Sequence, residues 1–256
     1  MTYSLRVGQQ ASLVLLLAVV VVFLVSLYLI NHGRLKVNLR RLPAYDGIAA
    51  MVGRATEMGR PVLMVPGGGL GSDPVLAALL PVFGYTAELC AKNKVPIFAS
   101  VNDAQSAQVM ADMFQGSYAK AGQVFDESRV QFYPYYTAWT ATTASYIARE
   151  KPAGQIILGA HYGVCSVFME AANSVGAMQI GGTNQLEQLP FFPVICDYSV
   201  LGEELYALGA YVSQDPEDLG SIFAEDVTKF AFLAIITVGC LLYVAGNKWL
   251  VNILSL

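Results

Sequence analysis

Residues 61–74 read PVLMVPGGGLGSDP and decide how the rest of the chain is interpreted. The apolar run Val62–Val65 is typical of a short buried strand, and the glycines behind it predict a turn at Gly67–Ser72. Proline fits the first turn of a helix, and a serine or aspartate just before it caps the helix. The stretch therefore predicts a strand, a glycine-rich turn and then a helix at Pro74–Lys92.

The same alternation of strands and helices continues along the chain. Further strands are predicted at Pro96–Val101, Val130–Tyr133, Gln155–Leu158, Ala177–Ile180 and Phe191–Cys196, and further helices at Ile48–Met58, Asp103–Phe114, Thr137–Glu150, Val164–Val175 and Val200–Val212. Strands that are joined by helices make right-handed crossovers, which give a parallel sheet covered on both faces. We therefore predict one α/β domain at residues 61–228, a Rossmann-like parallel sheet with helices on both faces.

Two runs without charge lie outside this domain. Ala11–Ile30 has 20 uncharged residues, and about 20 residues cross the roughly 30 Å hydrocarbon core of a bilayer. Phe230–Gly246 has 17 such residues. A cleaved signal peptide is the alternative for the first run, and a buried core helix is the alternative for the second. The low charged fraction of the chain, 13%, favours one N-terminal and one C-terminal transmembrane helix.

These predictions divide the rest of the chain into three segments. Residues 1–31 hold an N-terminal tail and the first transmembrane helix, and residues 32–60 hold a basic juxtamembrane collar and a short helix. Residues 229–256 hold the second transmembrane helix. The acidic stretch Asp215–Asp218, which precedes that helix, is predicted to be a solvated turn.

Basic residues flank the two apolar runs on the side of the domain. The tails carry only Arg6 and Lys248, whereas the inner flanks carry Arg34, Lys36, Arg40, Arg41 and Lys229. By the positive-inside rule we predict a two-pass protein of the cell membrane, with a cytoplasmic central domain and both termini on the opposite side. The lipid bilayer is then one partner. All 19 acidic residues lie between the two runs, which argues against nucleic acid as another.

The cysteines and histidines predict no metal site. The four cysteines, Cys90, Cys165, Cys196 and Cys240, have no CxxC spacing, so we interpret them as reduced thiols. The chain has only two histidines, His32 and His161, which excludes a site built from several histidines. No motif in the sequence indicates a particular cofactor.

The glycine-rich turn is the first candidate site. Backbone N–H groups of Gly67, Gly68, Gly69, Gly71 and Ser72, next to a helix N-terminus, suit a phosphate or a carboxylate. The turn lacks GxGxxG, the lysine of a Walker A loop and an acidic residue about 20 positions on. The alternative is a structural turn with an ordinary helix cap.

A second candidate lies in the turn at residues 159–166, which follows a predicted strand. His161 is a candidate general base toward Cys165 or Ser166, with Glu170 or Asp197 to orient the imidazole. The alternative is that His161 only holds the loop by hydrogen bonds. With one histidine here and no paired carboxylates, we do not assign a reaction, and we lean towards a protein that is not an enzyme.

Other polar residues follow strands that should end at the same edge of the sheet. They are Asn102 and Asp103 after one strand, and Thr183 and Asn184 after another. Ligands of open parallel sheets bind outside the carboxyl ends of the strands, so these residues complete a pocket hypothesis. The alternative is that they cap helices and shape tight turns.

Three segments resemble an uncharacterised prokaryotic family of membrane-anchored proteins with a Rossmann-like α/β domain. They are Gly53–Pro61 (GRATEMGRP), Gly181–Phe192 (GGTNQLEQLPFF) and Cys196–Pro216 (CDYSVLGEELYALGAYVSQDP). The resemblance covers most of the central domain. Since that family has no assigned activity, the resemblance implies the architecture and no catalytic residue.

Two functions follow as expectations. Asp46–Asp226 carries eight basic and nineteen acidic residues, so its charged fraction is below the roughly 25% of ordinary domains. A charge-poor surface indicates buried interfaces. We therefore expect a membrane-anchored scaffold or assembly subunit, a homo-oligomer or part of a larger membrane complex. Small residues in the second apolar run, such as Ala231, Ala234 and Gly239, would let helices approach closely. The alternative is a membrane-bound protein or enzyme that binds a nucleotide or another anion at Gly67–Ser72.

Overall fold

The computed structural model describes residues 9–32, 34, 37, 39–71 and 73–245. The chain divides into two compact units. The sheet unit is Leu39–Ser213, and the helical unit combines Met1–Asn38 with Gln214–Leu256. Four residues of the predicted collar, Gly33, Leu35, Lys36 and Asn38, lie outside the described residues, as does Ser72.

The sheet unit is an α/β structure built on a parallel sheet, as predicted. Its strands are β1 (Val62–Gly67), β2 (Ile97–Val101), β3 (Val130–Phe132), β4 (Gly154–Gly159), β5 (Met178–Thr183) and β6 (Tyr198–Leu201). They lie in the order β3-β2-β1-β4-β5-β6, and each neighbouring pair is parallel. The order reverses between β1 and β4, which is the point where doubly wound sheets bind ligands.

The helices of the sheet unit mostly follow the predicted pattern. They are α2 (Pro43–Met58), α3 (Pro74–Lys92), α4 (Ala104–Lys120), α5 (Tyr136–Glu150), α6 (Cys165–Ser174), α7 (Phe191–Ile195) and α8 (Glu204–Ser213), with short 3-10 turns at Glu127–Arg129 and Tyr162–Val164. Asp73 caps α3 through its carboxylate, which accepts a hydrogen bond from the backbone N–H of Val75 at 3.0 Å.

The two faces of the sheet are covered by different helices. Successive side chains of β1 point to opposite faces, so Val62 and Met64 belong to one apolar cluster, and Leu63 and Val65 belong to another. The first cluster includes residues of α2, α3, α4 and α8, and the second includes residues of α5, α6 and α7. Helices on both faces explain why the strands read as continuous apolar runs.

The predicted strand at Phe191–Cys196 is wrong, because Phe191–Ile195 is the short helix α7. A short apolar run fits a buried strand and a buried helix equally well, and Pro193 within it should have argued against a strand. The last strand is instead β6, which the prediction had partly assigned to a helix starting at Val200. Glycines 181 and 182 also lie within β5 and not in the loop after it.

The helical unit consists of α1 (Gln9–Asn31) and α9 (Pro216–Val244). Gly220 lies against Leu27, and Ile235 lines a cavity together with Leu15, so the two helices run in opposite directions. The predicted turn at Asp215–Asp218 is wrong, because α9 begins at Pro216. Acidic residues in a first helical turn are stabilised by the helix dipole, which explains why this acidic stretch is helical.

Helices near both ends of the chain are long and apolar enough to cross a membrane. Among the described residues three helices meet that criterion: α1 from Leu13, α3 and α9. Inside their units, 6% of the most apolar part of α1 is buried, 50% of that of α3 and 0% of that of α9. The sequence had indicated only the first and the last.

Candidate functional site

The candidate site lies where the carboxyl ends of β1 and β4 meet. Gly67 and Gly159 are opposite each other in the register of the two strands. A Cβ atom on Gly159, whose φ is +109°, would lie 2.4 Å from the carbonyl oxygen of Gly67. A Cβ atom on Gly67 would lie 2.5 Å from the imidazole of His161. The two glycines therefore allow the strand ends and the His161 ring to pack together.

His161 fills the point where the strand order reverses. Its side chain is completely buried, with Nε2 2.9 Å from the carbonyl oxygen of Val65 and Nδ1 3.1 Å from that of Gly159. Burial lowers the pKa of His161 to about 4, although the two carbonyl groups favour the charged form. A neutral imidazole has one N–H, so it donates to one of these carbonyl groups at a time. Both ring nitrogens thus face the backbone and not a substrate.

A buried polar cluster supports the His161 ring, and the sequence interpretation missed it. The indole of Trp139 lies nearly parallel to the imidazole, with ring centroids 6.0 Å apart. Its Nε1–H donates to the hydroxyl of Ser100 at 2.9 Å, and that hydroxyl is also hydrogen-bonded to Thr143. The available signal was a lone serine inside the apolar strand β2.

The glycine-rich turn packs against an acidic residue of the chain itself. Gly68 has a φ of +79°, and a Cβ atom there would lie 3.1 Å from Oδ2 of Asp73. The other oxygen of the same carboxylate accepts the Val75 N–H that begins α3. The N–H of Leu70 donates to the hydroxyl of Ser106 at 3.2 Å. An anion at this helix terminus would therefore meet the Asp73 carboxylate, which repels it.

The polar residues after β2 are used inside the fold. Oδ2 of Asp103 accepts hydrogen bonds from the N–H and the hydroxyl of Ser106, at 2.8 and 2.6 Å, and so caps α4. The side-chain amide of Asn102 donates to the carbonyl oxygen of Tyr133 at 3.1 Å. Both residues lie at the predicted edge and hold the loops there.

The residues after β5 leave hydrogen-bonding capacity at the same edge. Thr183 is buried, and its hydroxyl accepts the N–H of Gln185 at 3.1 Å. The amide oxygen of Gln188 accepts the backbone N–H of His161 at 3.2 Å. Within the described part of the chain, Oδ1 of Asn184 and Nε2 of Gln188 are buried without a hydrogen-bond partner. The predicted set included Thr183 and Asn184 but not Gln188.

Asp197 does not join His161. It precedes β6, and its Oδ2 accepts the N–H of Gln179 at the beginning of β5, at 2.7 Å, which places it at the amino edge of the sheet. The prediction had put Asp197 after the last strand, because it mistook α7 for that strand. Cys165 is buried at the start of α6, and burial raises the pKa of its thiol. The structure therefore does not assemble a base, a thiol and a carboxylate at one place.

The described residues, which exclude 1–8, 246–256 and a few positions between, contain no group of three or more His, Cys, Asp or Glu side chains placed to hold a metal ion. Within the same residues, the free cysteines are Cys90, Cys165, Cys196 and Cys240. Among the described residues at the carboxyl edge, Asn184 and Gln188 keep unused hydrogen-bonding atoms, whereas the Asp73 and Asp103 carboxylates cap α3 and α4.

Comparison with known proteins shows the family. The model of the family described as "Domain of unknown function (DUF6754)" matches residues 4–254. The chain therefore belongs to that family, in agreement with its resemblance to an uncharacterised family. No curated protein and no solved structure matches it.

Proposed function

We propose that this member of the DUF6754 family is a membrane-anchored scaffold or assembly subunit that oligomerises through its Rossmann-like sheet unit. In the proposed topology α1 and α9 cross the cell membrane, the sheet unit lies in the cytoplasm and both chain termini lie on the opposite side. Its partners are the lipid bilayer and further copies of the chain, or the other subunits of a larger membrane complex.

The exposure of the terminal helices supports the anchoring. In the helical unit α1 and α9 leave nearly all of their apolar surface uncovered, which is stable in lipid and not in water. Half of the corresponding surface of α3 is buried among the other helices of the sheet unit, so we assign α3 to the core of that unit. The basic residues on the domain side of α1 support the cytoplasmic orientation.

The carboxyl edge of the sheet supports a scaffold, because residues of the chain itself fill it. A doubly wound sheet binds its ligand at the reversal of the strand order. Here the chain's own His161 imidazole occupies that place, and the Asp73 carboxylate occupies the adjoining helix terminus. A protein that used this edge for an anionic substrate would keep both positions open or positively charged.

An exposed apolar surface offers a place for self-association. It involves residues next to α5 and α6 and on α7: Tyr135, Tyr162, Leu186, Phe191 and Val194. The helices α5, α6 and α7 cover the same face of the sheet, and α7 packs beside α6. Exposed aromatic and large aliphatic side chains on one side of a domain are typical of protein–protein contacts.

The test is the mass of the full-length protein after extraction in a mild detergent. We expect a defined oligomer, and we expect Val194→Lys to shift it to a smaller species. Val124→Lys is the matched control, because Val124 is also exposed, at 96%, but lies outside this surface. A monomeric wild-type protein at all concentrations would contradict the proposal.

Binding of a small anion at residues 67–71 is a second candidate, which the strand order and the glycine-rich turn after β1 favour. Its test is titration of the full-length protein with pyrophosphate. If the candidate is right, binding is measurable and Gly69→Asp abolishes it while circular dichroism stays unchanged, because a second carboxylate repels the anion. Absence of binding to the wild-type protein would reject it.

A further inference from the structure

The apolar parts of α1 and α9 are not level with each other. Leu27 lies beside Gly220, and Leu15 lines a cavity with Ile235. Val20 and Phe23, from the middle of α1, line another cavity together with Glu225 and Lys229. The half of α1 that leads to Asn31 therefore runs beside the first half of α9 and not beside the charge-free run that starts at Phe230.

The two helices differ in charge over this shared length. α1 has no charged residue from Gln9 to Asn31, whereas α9 carries Glu217, Asp218, Glu225, Asp226 and Lys229 before Phe230. Glu225 and Lys229 form an ion pair at 2.9 Å, and both side chains are 44% exposed. If α1 spans the bilayer, Glu225, Asp226 and Lys229 lie at the depth of the hydrocarbon, whereas Glu217 and Asp218 are level with the end of α1. Charged side chains at that depth face a water-filled cavity or other protein, because contact with lipid is unfavourable.

Away from the charges, both helices expose large apolar side chains. α1 exposes large aliphatic residues such as Leu16, Leu17 and Val21. Next to its charged part, α9 exposes the small residues Ala231 and Ala234 together with large ones such as Leu233. Small residues allow membrane helices to approach closely, and large aliphatic ones suit lipid.

We propose that copies of the chain assemble with α9 on the inside and α1 on the outside. The charged first half of α9 then lines an aqueous interior between the copies, and α1 contacts the lipid. This inference rests on the proposed function, that is, on an oligomer in which α1 and α9 cross the membrane. The occupant of the exposed α9 surface is the α9 helix of another copy, since one hairpin alone cannot shield the three charges beside the middle of α1 from lipid.

The experiment uses variants of the full-length protein with one introduced cysteine, in membrane vesicles and in a Cys240→Ala background. The other native cysteines belong to the sheet unit, where Cys90 and Cys165 are buried and Cys196 is half-buried. Glu225→Cys is compared with Val21→Cys, which is at a similar depth on α1 and is exposed. We expect a charged, membrane-impermeant maleimide to modify the cysteine at 225 and not the one at 21.

A second pair of variants tests the contact between copies. Ala234→Cys and Leu16→Cys are also at a similar depth, next to Ile235 and Leu15. We expect oxidation to give a disulfide-linked dimer for Ala234→Cys and none for Leu16→Cys.

The outcomes separate this inference from the proposed function. An oligomer in which the cysteines at 21 and 225 react equally, or in which Leu16→Cys alone forms the dimer, overturns the arrangement and leaves the scaffold in place. A wild-type protein that is monomeric in the same membranes overturns both.

Discussion

The helices α1 and α3 are both long and apolar enough to cross a membrane, but they use their apolar residues differently. α3 places Leu76, Leu79 and Phe83 three or four positions apart, and these face the sheet with no exposure. α1 is apolar on every side and leaves most of that surface uncovered in the helical unit. The distribution of apolar residues around a helix, and not their number, therefore decides what the helix contacts.

The largest expected effect separates the two helices directly. Leu79→Ala in α3 should lower the free energy of unfolding by about 2–5 kcal/mol, because it leaves a cavity in a closed core. Leu16→Ala, the control in α1, should change it by less than about 0.5 kcal/mol. Denaturant unfolding of the full chain in detergent, followed by Trp139 fluorescence in a Trp249→Phe background, measures both. Equal effects would show that α3 is not a core helix.

A second prediction uses His161, a titratable group that is completely buried in the sheet unit. Since burial lowers the pKa of His161 to about 4, the unfolded chain binds a proton first as the pH falls from about 6.5. Stability should therefore decrease between about pH 6.5 and pH 4, by about 3 kcal/mol from this group, and level off below.

The control for this pH dependence is His161→Gln, which cannot take up that proton. The difference between the two unfolding curves isolates His161 from the carboxylates that also titrate in acid. If the wild-type and variant curves run parallel from pH 7 to pH 4, His161 is not a buried neutral imidazole.

The smallest expected effect compares two tightly packed glycines. A Cβ atom at Gly67 would lie 2.7 Å from the backbone nitrogen of Ala160 as well as against His161, so Gly67→Ala should cost about 1–3 kcal/mol. At Gly220 the neighbour is the flexible end of Leu27, 2.7 Å away, and alanine favours the helix. Gly220→Ala should stay within about 1 kcal/mol of the wild type. The same unfolding assay tests both, and a reversed order would contradict the packing at the sheet edge.

The fold was predictable where a local pattern had one solution. Proline at the first turn of α3 and alternating apolar runs led to a parallel α/β sheet with helices close to their true bounds. The strand prediction at Phe191–Cys196 was wrong because a buried segment of this length shows no periodicity that distinguishes a strand from a helix. The prediction of a turn before α9 was wrong because acidic residues are favourable both in a turn and in the first turn of a helix.

The sequence predicted which turns lie at the carboxyl edge of the sheet, but not the contacts that their residues make. The turns after β1 and β4 meet at the reversal of the strand order, as neighbouring strand ends must. That His161 would fill the gap depends on Trp139 and on Val65 of another strand, which are distant in sequence. Asp197 lies at the opposite edge from the predicted one, because the last strand was assigned to the wrong residues. Such contacts follow from tertiary packing, which local sequence does not specify.

The pairing of the first and last helices has a consequence for synthesis of the chain. α1 ends at Asn31 and α9 begins at Pro216, so at ~5–20 residues per second the second helix leaves the ribosome roughly 10–40 s after the first. During that interval the nascent sheet unit can fold, while α1 has no α9 to pack against. A helix that is apolar on every side would be stable in a bilayer without its partner. The charged helix α9 is synthesised only after α1.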